Sequence, residues 1–197
     1  MPNENPILNN PYREPDLHYA TNLNGELDYQ DIVKGRRLFS GTVQTIPVPQ
    51  GAQRDLPQIK DSLAASHGNH LVNVFRREVK VWREAGYPST TRVTRELLHF
   101  WFKNEERDYT QMLFFAQQEA IETAIYLNEV ADKSNVGQRL LADLQQAQAL
   151  AENLPRIGFK VATGTGKTVV MGALIVYHFF NRLEYRGDVR FCTREKE

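Results

Sequence analysis

The chain has 197 residues, of which 41% are hydrophobic and 24% charged, a composition typical of a globular protein. Its 24 basic and 24 acidic residues balance, so net charge gives no argument for binding to nucleic acid or to a membrane. The single cysteine, Cys192, excludes an internal disulfide, and neither a signal peptide nor an apolar run of spanning length is present, so we expect a cytoplasmic protein without a membrane span.

Residues 1–60 are predicted to form an irregular arm with a short β-element, since Asn, Pro and Gly are frequent there. Two short segments, residues 18–21 and 26–29, flank an Asn24-Gly25 pair, which predicts a β-hairpin. The arm has too few apolar residues for a core of its own. We therefore expect it to pack against another part of the protein.

Residues 61–109 are predicted to be helical. A first helix runs from about residue 69 to a stop at Gly86, with its apolar face formed by Leu71, Val72, Phe75, Val79 and Trp82. Its other face carries Arg76, Arg77, Lys80 and Arg83. This face is interpreted either as solvated or as a strip that contacts a phosphate backbone, extended by Arg92 and Arg95 on the next helix.

Three further helices are predicted from apolar periodicity, over Thr91–Lys103, about Thr110–Asp132 and Gln138–Glu152. The second of the four predicted helices directs Val93, Leu97, Leu98, Phe100 and Trp101 mostly to one side. This aromatic cluster is interpreted as core rather than as a platform for stacking bases. Leu154-Pro155 ends the last of these helices.

Residues 156–168 are predicted to form a buried strand, a tight loop and the start of a helix, which continues through the apolar run Val169–Phe180. Strand, glycine-rich loop and helix together are typical of a site that binds nucleotide phosphates. The strict pattern has Gly where this chain has Val161. The neighbouring strand and helix support the interpretation despite this departure.

Each loop residue has an expected role. The predicted phosphate-binding residues are Thr163, Gly164, Thr165, Gly166, Lys167 and Thr168. The glycines and threonines among them are small enough to allow backbone N–H groups to face an anion. Lys167 would reach the β- and γ-phosphates, and the Thr168 hydroxyl would bind Mg²⁺. Lys167 and Thr168 are thus the candidate catalytic residues, Thr168 is the candidate metal ligand, and the expected cofactors are ATP and Mg²⁺.

Gln117, in the segment from Phe114 to Ala120, is the remaining candidate. Upstream of a phosphate-binding loop, a glutamine amide can accept from one atom of adenine and donate to another. This role depends on the loop being a nucleotide site.

Residues 115–124 and 159–168 together resemble the superfamily 2 helicases, most closely the restriction (R) subunits of type III restriction enzymes. Residues 5–12 and 91–98 are also similar to that group. The resemblance implies a RecA-like P-loop NTPase domain whose Walker A motif is Gly164–Thr168, with Gln117 in the adenine-reading motif. It also implies ATP-dependent translocation on double-stranded DNA and, as a possible partner, a modification subunit.

The fold class that follows is α/β, with a mostly helical N-terminal region leading into the start of an incomplete RecA-like domain. Its predicted parts are an arm (1–60), a helical region (61–109) and a truncated helicase N-terminal domain (110–197). After Thr168 no Asp-Glu pair follows an apolar strand, and Asp188 precedes Val189–Phe191, so the acidic motif required for hydrolysis has no counterpart.

The expected function is the N-terminal part of an ATP-dependent helicase or translocase subunit that binds ATP but does not hydrolyse it alone. Its partner would include the missing C-terminal part, from a truncated gene or a split subunit. The alternative is a non-catalytic module that binds DNA or a partner and carries a vestigial loop. A small P-loop kinase or GTPase fits less well, because such proteins place the loop near their start.

Overall fold

The computed structural model describes residues 7–21, 26–39, 70–104, 106, 108, 112–148, 158–159 and 164–192. This part of the chain is mixed α/β, with one two-stranded antiparallel sheet and five α-helices, which confirms the predicted class at that level. In chain order the elements are β1 (Leu17–Thr21), β2 (Leu27–Lys34), α1 (Leu71–Glu84), α2 (Arg92–Phe102), α3 (Phe115–Glu129), a 3₁₀ turn (Ala131–Lys133), α4 (Asn135–Gln148) and α5 (Lys167–Glu184).

The chain divides into two compact units, residues 1–75 and 76–197. The predicted division at residues 60 and 109 stays a prediction. No helix in the described ranges combines the length and the apolar character needed to cross a membrane.

The first unit contains the predicted β-hairpin. Strands β1 and β2 pair antiparallel, with Leu17 opposite Lys34 and Thr21 opposite Leu27, and the register shifts between Tyr19 and Ala20. Every residue of β2 is exposed, so the sheet has no buried face on that strand. The hairpin prediction is confirmed, while its Asn24-Gly25 turn lies outside the described residues.

Asn73, at the start of α1, binds the backbone of Phe39 within the same unit. Its side-chain amide donates to the Phe39 carbonyl at 2.7 Å and accepts from the Phe39 N–H at 2.9 Å. Only 1% of Asn73 is exposed, so this contact satisfies a buried amide.

The end of α1 lies where the sequence predicts it. Gly86 has φ +80°, and the Tyr87 N–H donates to the Trp82 carbonyl, the hydrogen bond that closes a helix ending in a left-handed glycine. Thr91 then caps α2, because its hydroxyl accepts from the Thr94 N–H at 3.1 Å. Both helix ends are set by local residues.

Two details of the predicted helices are wrong. The third begins at Phe115 rather than near Thr110, and Met112–Phe114 precede it without helical structure. Phe100 is 56% exposed and does not belong to the core of α2, where Leu98 and Thr94 are buried instead.

The core of the second unit lies between α1, α2, α3 and α5. Its buried members are Val79, Trp82, Tyr87, Leu98, Ala120, Ile121, Ile125, Tyr126, Val130, Ala131, Val170, Tyr177 and Phe191. Trp82 contacts the rings of Tyr87 and Tyr126 edge to face. Helix α3 contributes four of these residues, Ala120, Ile121, Ile125 and Tyr126, more than any other helix of the unit.

The predicted strand before the loop is described only at Gly158 and Phe159, which are not in a strand. Residues 156–157 and 160–163, and with them Val161 and Thr163, lie outside the described residues. After α5, residues 186–192 form turns and no strand. The predicted helix after the loop is confirmed as α5.

Candidate phosphate-binding loop

The described part of the loop turns at two glycines. Gly164 has φ +81° and Gly166 has φ +73°, in the left-handed region that a residue with a Cβ enters only at a cost. Gly166 is also the residue that precedes the first turn of α5. The alternation of glycine with Thr165 therefore brings the chain directly onto the helix N-terminus.

Lys167 and Thr168 are the first two residues of α5, and both are exposed. Gly166 has no side chain with which to cap the helix, and the positive end of the helix dipole lies at these two exposed residues. Backbone N–H groups at a helix N-terminus bind anions, and phosphate is a common one. The residues present fit a phosphate group.

The same residues fit Mg²⁺ only when phosphate is bound. Among the described residues, no group of three or more His, Cys, Asp or Glu side chains could hold a metal ion. Mg²⁺ prefers oxygen ligands and commonly binds through substrate phosphates and water. The Thr168 hydroxyl is the candidate protein ligand.

Gln117 lies against this loop, although 48 residues separate it from Thr165. Its Nε2 donates to the Thr165 carbonyl at 2.9 Å and lies 3.4 Å from the Gly166 carbonyl oxygen. Its Oε1 accepts from the Phe114 N–H at 2.9 Å, so the side chain also caps the start of α3. The structure thus brings Gln117 together with the loop, and its adenine-reading role stays a prediction.

Helices α3 and α5 run side by side in the same direction. Gln117 meets the loop at Gly166, and eleven residues further along both helices Asn128 donates to the Tyr177 hydroxyl at 2.9 Å. Because the two contacts are the same number of residues apart on both helices, α3 and α5 run in the same direction. Helix α3 thus contacts α5 at the loop end and again about three turns later.

The far end of α5 is held by buried polar contacts. Asn181, fully buried, donates to the Thr94 hydroxyl at 2.9 Å and accepts from the Thr91 hydroxyl at 2.6 Å. Glu129, also fully buried, accepts from the Thr91 N–H at 2.7 Å and from the Thr94 hydroxyl. The end of α3, the start of α2 and the last turns of α5 therefore share one hydrogen-bonded cluster.

A second buried carboxylate, Glu122, lies on the opposite side of α3 from solvent. It forms a bidentate ion pair with Arg83, whose Nε and Nη2 donate to its two oxygens. It also accepts hydrogen bonds from the Tyr87 hydroxyl at 2.7 Å and from the Gln118 Nε2 at 2.8 Å. Burial and the neighbouring Glu122 charge raise the pKa of Tyr87 above its usual value, so the phenol stays protonated and donates. Burial lowers the pKa of Arg83, but the hydrogen bonds to Glu122 and the neighbouring negative charges, that of Glu122 first, together outweigh burial and raise the pKa above its usual value.

The basic strip considered on α1 and α2 is therefore incomplete. Arg83 faces the interior and pairs with Glu122, which corrects its placement on the solvated face. Arg92 is exposed but pairs with Glu96 and Glu184. Two members of the proposed phosphate-contact strip thus already have acidic partners.

Sequence reasoning missed Glu122, Glu129 and Asn181, although one signal was available. Glu122 and Glu129 are seven residues apart on α3, the spacing that places two side chains on one helix face, and Ile121 and Ile125 lie on that same apolar side. A charged residue on the same helix face as buried apolar residues predicts a buried ion pair or a buried, hydrogen-bonded carboxylate.

The predicted site residues Gln117, Gly164, Thr165, Gly166, Lys167 and Thr168 come together, and Thr163 lies outside the described residues. No family model matches the chain, and no curated protein or solved structure matches it either. The loop geometry and the Gln117 contact are therefore the structural features from which a function can be proposed.

Proposed function

We propose that this protein binds the phosphates of a nucleotide at residues 163–168. One observation carries the proposal: two glycines with positive φ lead directly into the N-terminus of a helix of 18 residues whose first residues are Lys167 and Thr168. Helix N–H groups, a lysine ammonium group and a hydroxyl are the groups that such loops use to bind nucleotide phosphates and Mg²⁺. The chemistry matches that of a Walker A motif.

Within this proposal the ligand is ATP with Mg²⁺, and the loop belongs to a RecA-like domain of a restriction-type superfamily 2 helicase. Support comes from the resemblance of residues 115–124 and 159–168 and from the proximity of Gln117 to the loop. Double-stranded DNA would be the substrate of the assembled motor. We propose that this chain by itself binds ATP without turning it over.

Titration of a fluorescent ATP analogue with Mg²⁺ tests the proposal. Lys167→Ala should weaken binding by about tenfold to a hundredfold, since a hydrogen bond to a charged group contributes roughly 1.5–3 kcal/mol. Arg139→Ala is the matched control, because it removes one positive charge from an exposed position on α4. Thr168→Val should weaken binding in Mg²⁺ and have little effect in EDTA.

Two results would contradict parts of the proposal. Equal affinities of the wild-type and Lys167→Ala proteins would favour the alternative, a binding module with a vestigial loop. DNA-stimulated release of phosphate by the purified chain would disprove the claim that it does not turn ATP over.

A further inference from the structure

The amide of Gln117 is occupied at both ends by backbone of this chain. Its oxygen accepts from the Phe114 N–H, and its nitrogen donates to the Thr165 carbonyl and lies near that of Gly166. Only 5% of the residue is exposed. A glutamine that reads a base needs the same donor and the same acceptor for the ring. In this structure Gln117 contacts the phosphate loop in place of a base.

Gly166 fits closely against this amide. A Cβ at Gly166 would overlap the Gln117 Nε2 atom, so the absence of a side chain allows the contact as well as the positive φ. The Gln117 amide therefore occupies the space that a side chain at position 166 would need.

The position of Gln117 is itself fixed. Its own N–H donates to the Phe114 carbonyl at 2.9 Å while its side chain caps the same residue. Helix α3 is also joined to α5 through Asn128 and to α2 through the buried Glu129. The loop carbonyls therefore meet a donor held by a packed helix.

This contact determines where the loop N–H groups point. In a planar trans peptide the C=O and the N–H point in opposite directions. Because the Thr165 carbonyl faces Gln117, the Gly166 N–H, which shares that peptide unit, faces away from α3. The Gly166 carbonyl already accepts a hydrogen bond from the Val169 N–H in the first turn of α5, so the helix itself orients the Lys167 N–H. The Gly166 N–H is one of the groups at the helix N-terminus that would receive a phosphate.

We infer that Gln117 is a positioning residue of the phosphate site: it orients the Gly166 N–H by binding the Thr165 carbonyl of the same peptide. This inference rests on the proposed function. It differs from base reading in one respect that can be measured. Loss of the contact weakens every phosphate ligand equally, whether or not the ligand carries a base.

The test measures the affinities of tripolyphosphate, ATP and GTP, each with Mg²⁺, for the wild-type protein and Gln117→Met. Methionine keeps the length of the side chain and removes both hydrogen bonds. We expect all three affinities to fall by a similar factor of about tenfold, since two hydrogen bonds are lost. Gln145→Ala, an exposed glutamine on α4, is the control and should change none of them.

The inference is overturned if Gln117→Met weakens ATP but leaves the affinity of tripolyphosphate unchanged, because Gln117 would then read adenine. It is also overturned if no ligand is affected. Circular dichroism checks that Gln117→Met is folded, and backbone ¹⁵N relaxation of Gly166 and Lys167 measures loop order directly. We expect lower order parameters in the folded variant, and unchanged ones would count against the inference.

The proposed function can fail separately. If the wild-type protein binds no phosphate ligand, that proposal is wrong, and the relaxation measurement still decides whether Gln117 orders the loop.

Discussion

At the scale of single residues, the buried Glu122 and the exposed Arg92 show how differently charged residues contribute to stability. Glu122 has no exposed side-chain surface, and its oxygens meet three donor side chains, those of Arg83, Tyr87 and Gln118. Arg92 forms its ion pairs at the surface, where its side chain is 62% exposed. Removing one partner of a buried pair leaves the other without compensation, whereas an exposed partner returns to water.

We therefore predict that Glu122→Leu lowers the free energy of unfolding by about 3 kcal/mol, because it leaves the Arg83 guanidinium and the Tyr87 hydroxyl without their acceptor. Urea denaturation followed by circular dichroism measures the change. Adding Arg83→Met to this variant should recover part of the loss, since the unpaired charge is then also removed.

Arg92→Ala is the comparison and should leave the urea midpoint unchanged within error. If Glu122→Leu were no more destabilising than Arg92→Ala, the buried pair would not contribute as its geometry indicates. A double variant less stable than Glu122→Leu alone would argue against the unpaired charge as the cause.

At the scale of elements, α5 differs from the other helices because it is apolar on nearly all sides. Val170 and Tyr177 face the core, yet the outward face carries large exposed apolar residues. They are Val169, Met171, Ile175, Phe179, Phe180 and Leu183. A helix that is apolar all round is typical of an interior position. The helix that begins at the phosphate loop thus presents more apolar surface than a solvated helix usually does.

Two glycines in different settings give an element-scale prediction. A methyl group added to Gly172, in the middle of α5, would meet no atom within 4 Å outside the backbone of its own helix, and Gly172 does not have a positive φ. Gly172→Ala should therefore stabilise the protein by about 0.5–1 kcal/mol, because alanine favours the helix more than glycine does. Gly86→Ala should instead destabilise it by about 1–2 kcal/mol, because Gly86 ends α1 with φ +80°. Thermal unfolding of both variants measures the difference. The same sign for the two would contradict it.

Helix ends followed their local signals. Gly86 and Thr91 mark the end of α1 and the start of α2 within one or two residues of the prediction. The start of α3 was missed because Phe114 has no capping side chain, and Gln117 caps the helix from inside its first turn. An N-terminus formed in this way has no recognisable residue before it.

At the scale of the molecule, helix α3 of the second unit and strand β2 of the first differ in how far their residues are buried. Helix α3 has Ile121 and Ile125 fully buried, while every residue of β2 is exposed in its two-stranded sheet. An isolated two-stranded hairpin is marginal in water, and local opening requires little free energy where few apolar contacts must break.

Hydrogen exchange should therefore separate the units. We predict that the amides of residues 121–125 exchange at least about a hundredfold more slowly than those of residues 29–33. Mass spectrometry of peptic fragments or NMR measures both sets in one sample. Equal protection of the two sets would show that the hairpin is stabilised by more than its own pairing.

By itself, the sequence determined what depends on neighbouring residues. The Gly164-Thr165-Gly166-Lys167-Thr168 order specifies the turns and the helix start, and the two short segments around Asn24-Gly25 predicted the paired strands. Four of the five helices end or begin near where periodicity and caps placed them. These features follow from backbone conformations that glycine, proline and capping residues favour locally.

Only the tertiary structure decided the partners of buried polar groups. Arg83 lies 39 positions from Glu122, and Gln117 lies 48 from Thr165, so no local pattern relates them. Their pairing arises because α3 packs in parallel beside α5 and against α1, and a buried polar group must find a hydrogen-bond partner wherever packing brings one. The turns at Gly164 and Gly166 could be predicted from adjacent residues, whereas the packing of α3 placed the Gln117 amide that faces the loop carbonyls.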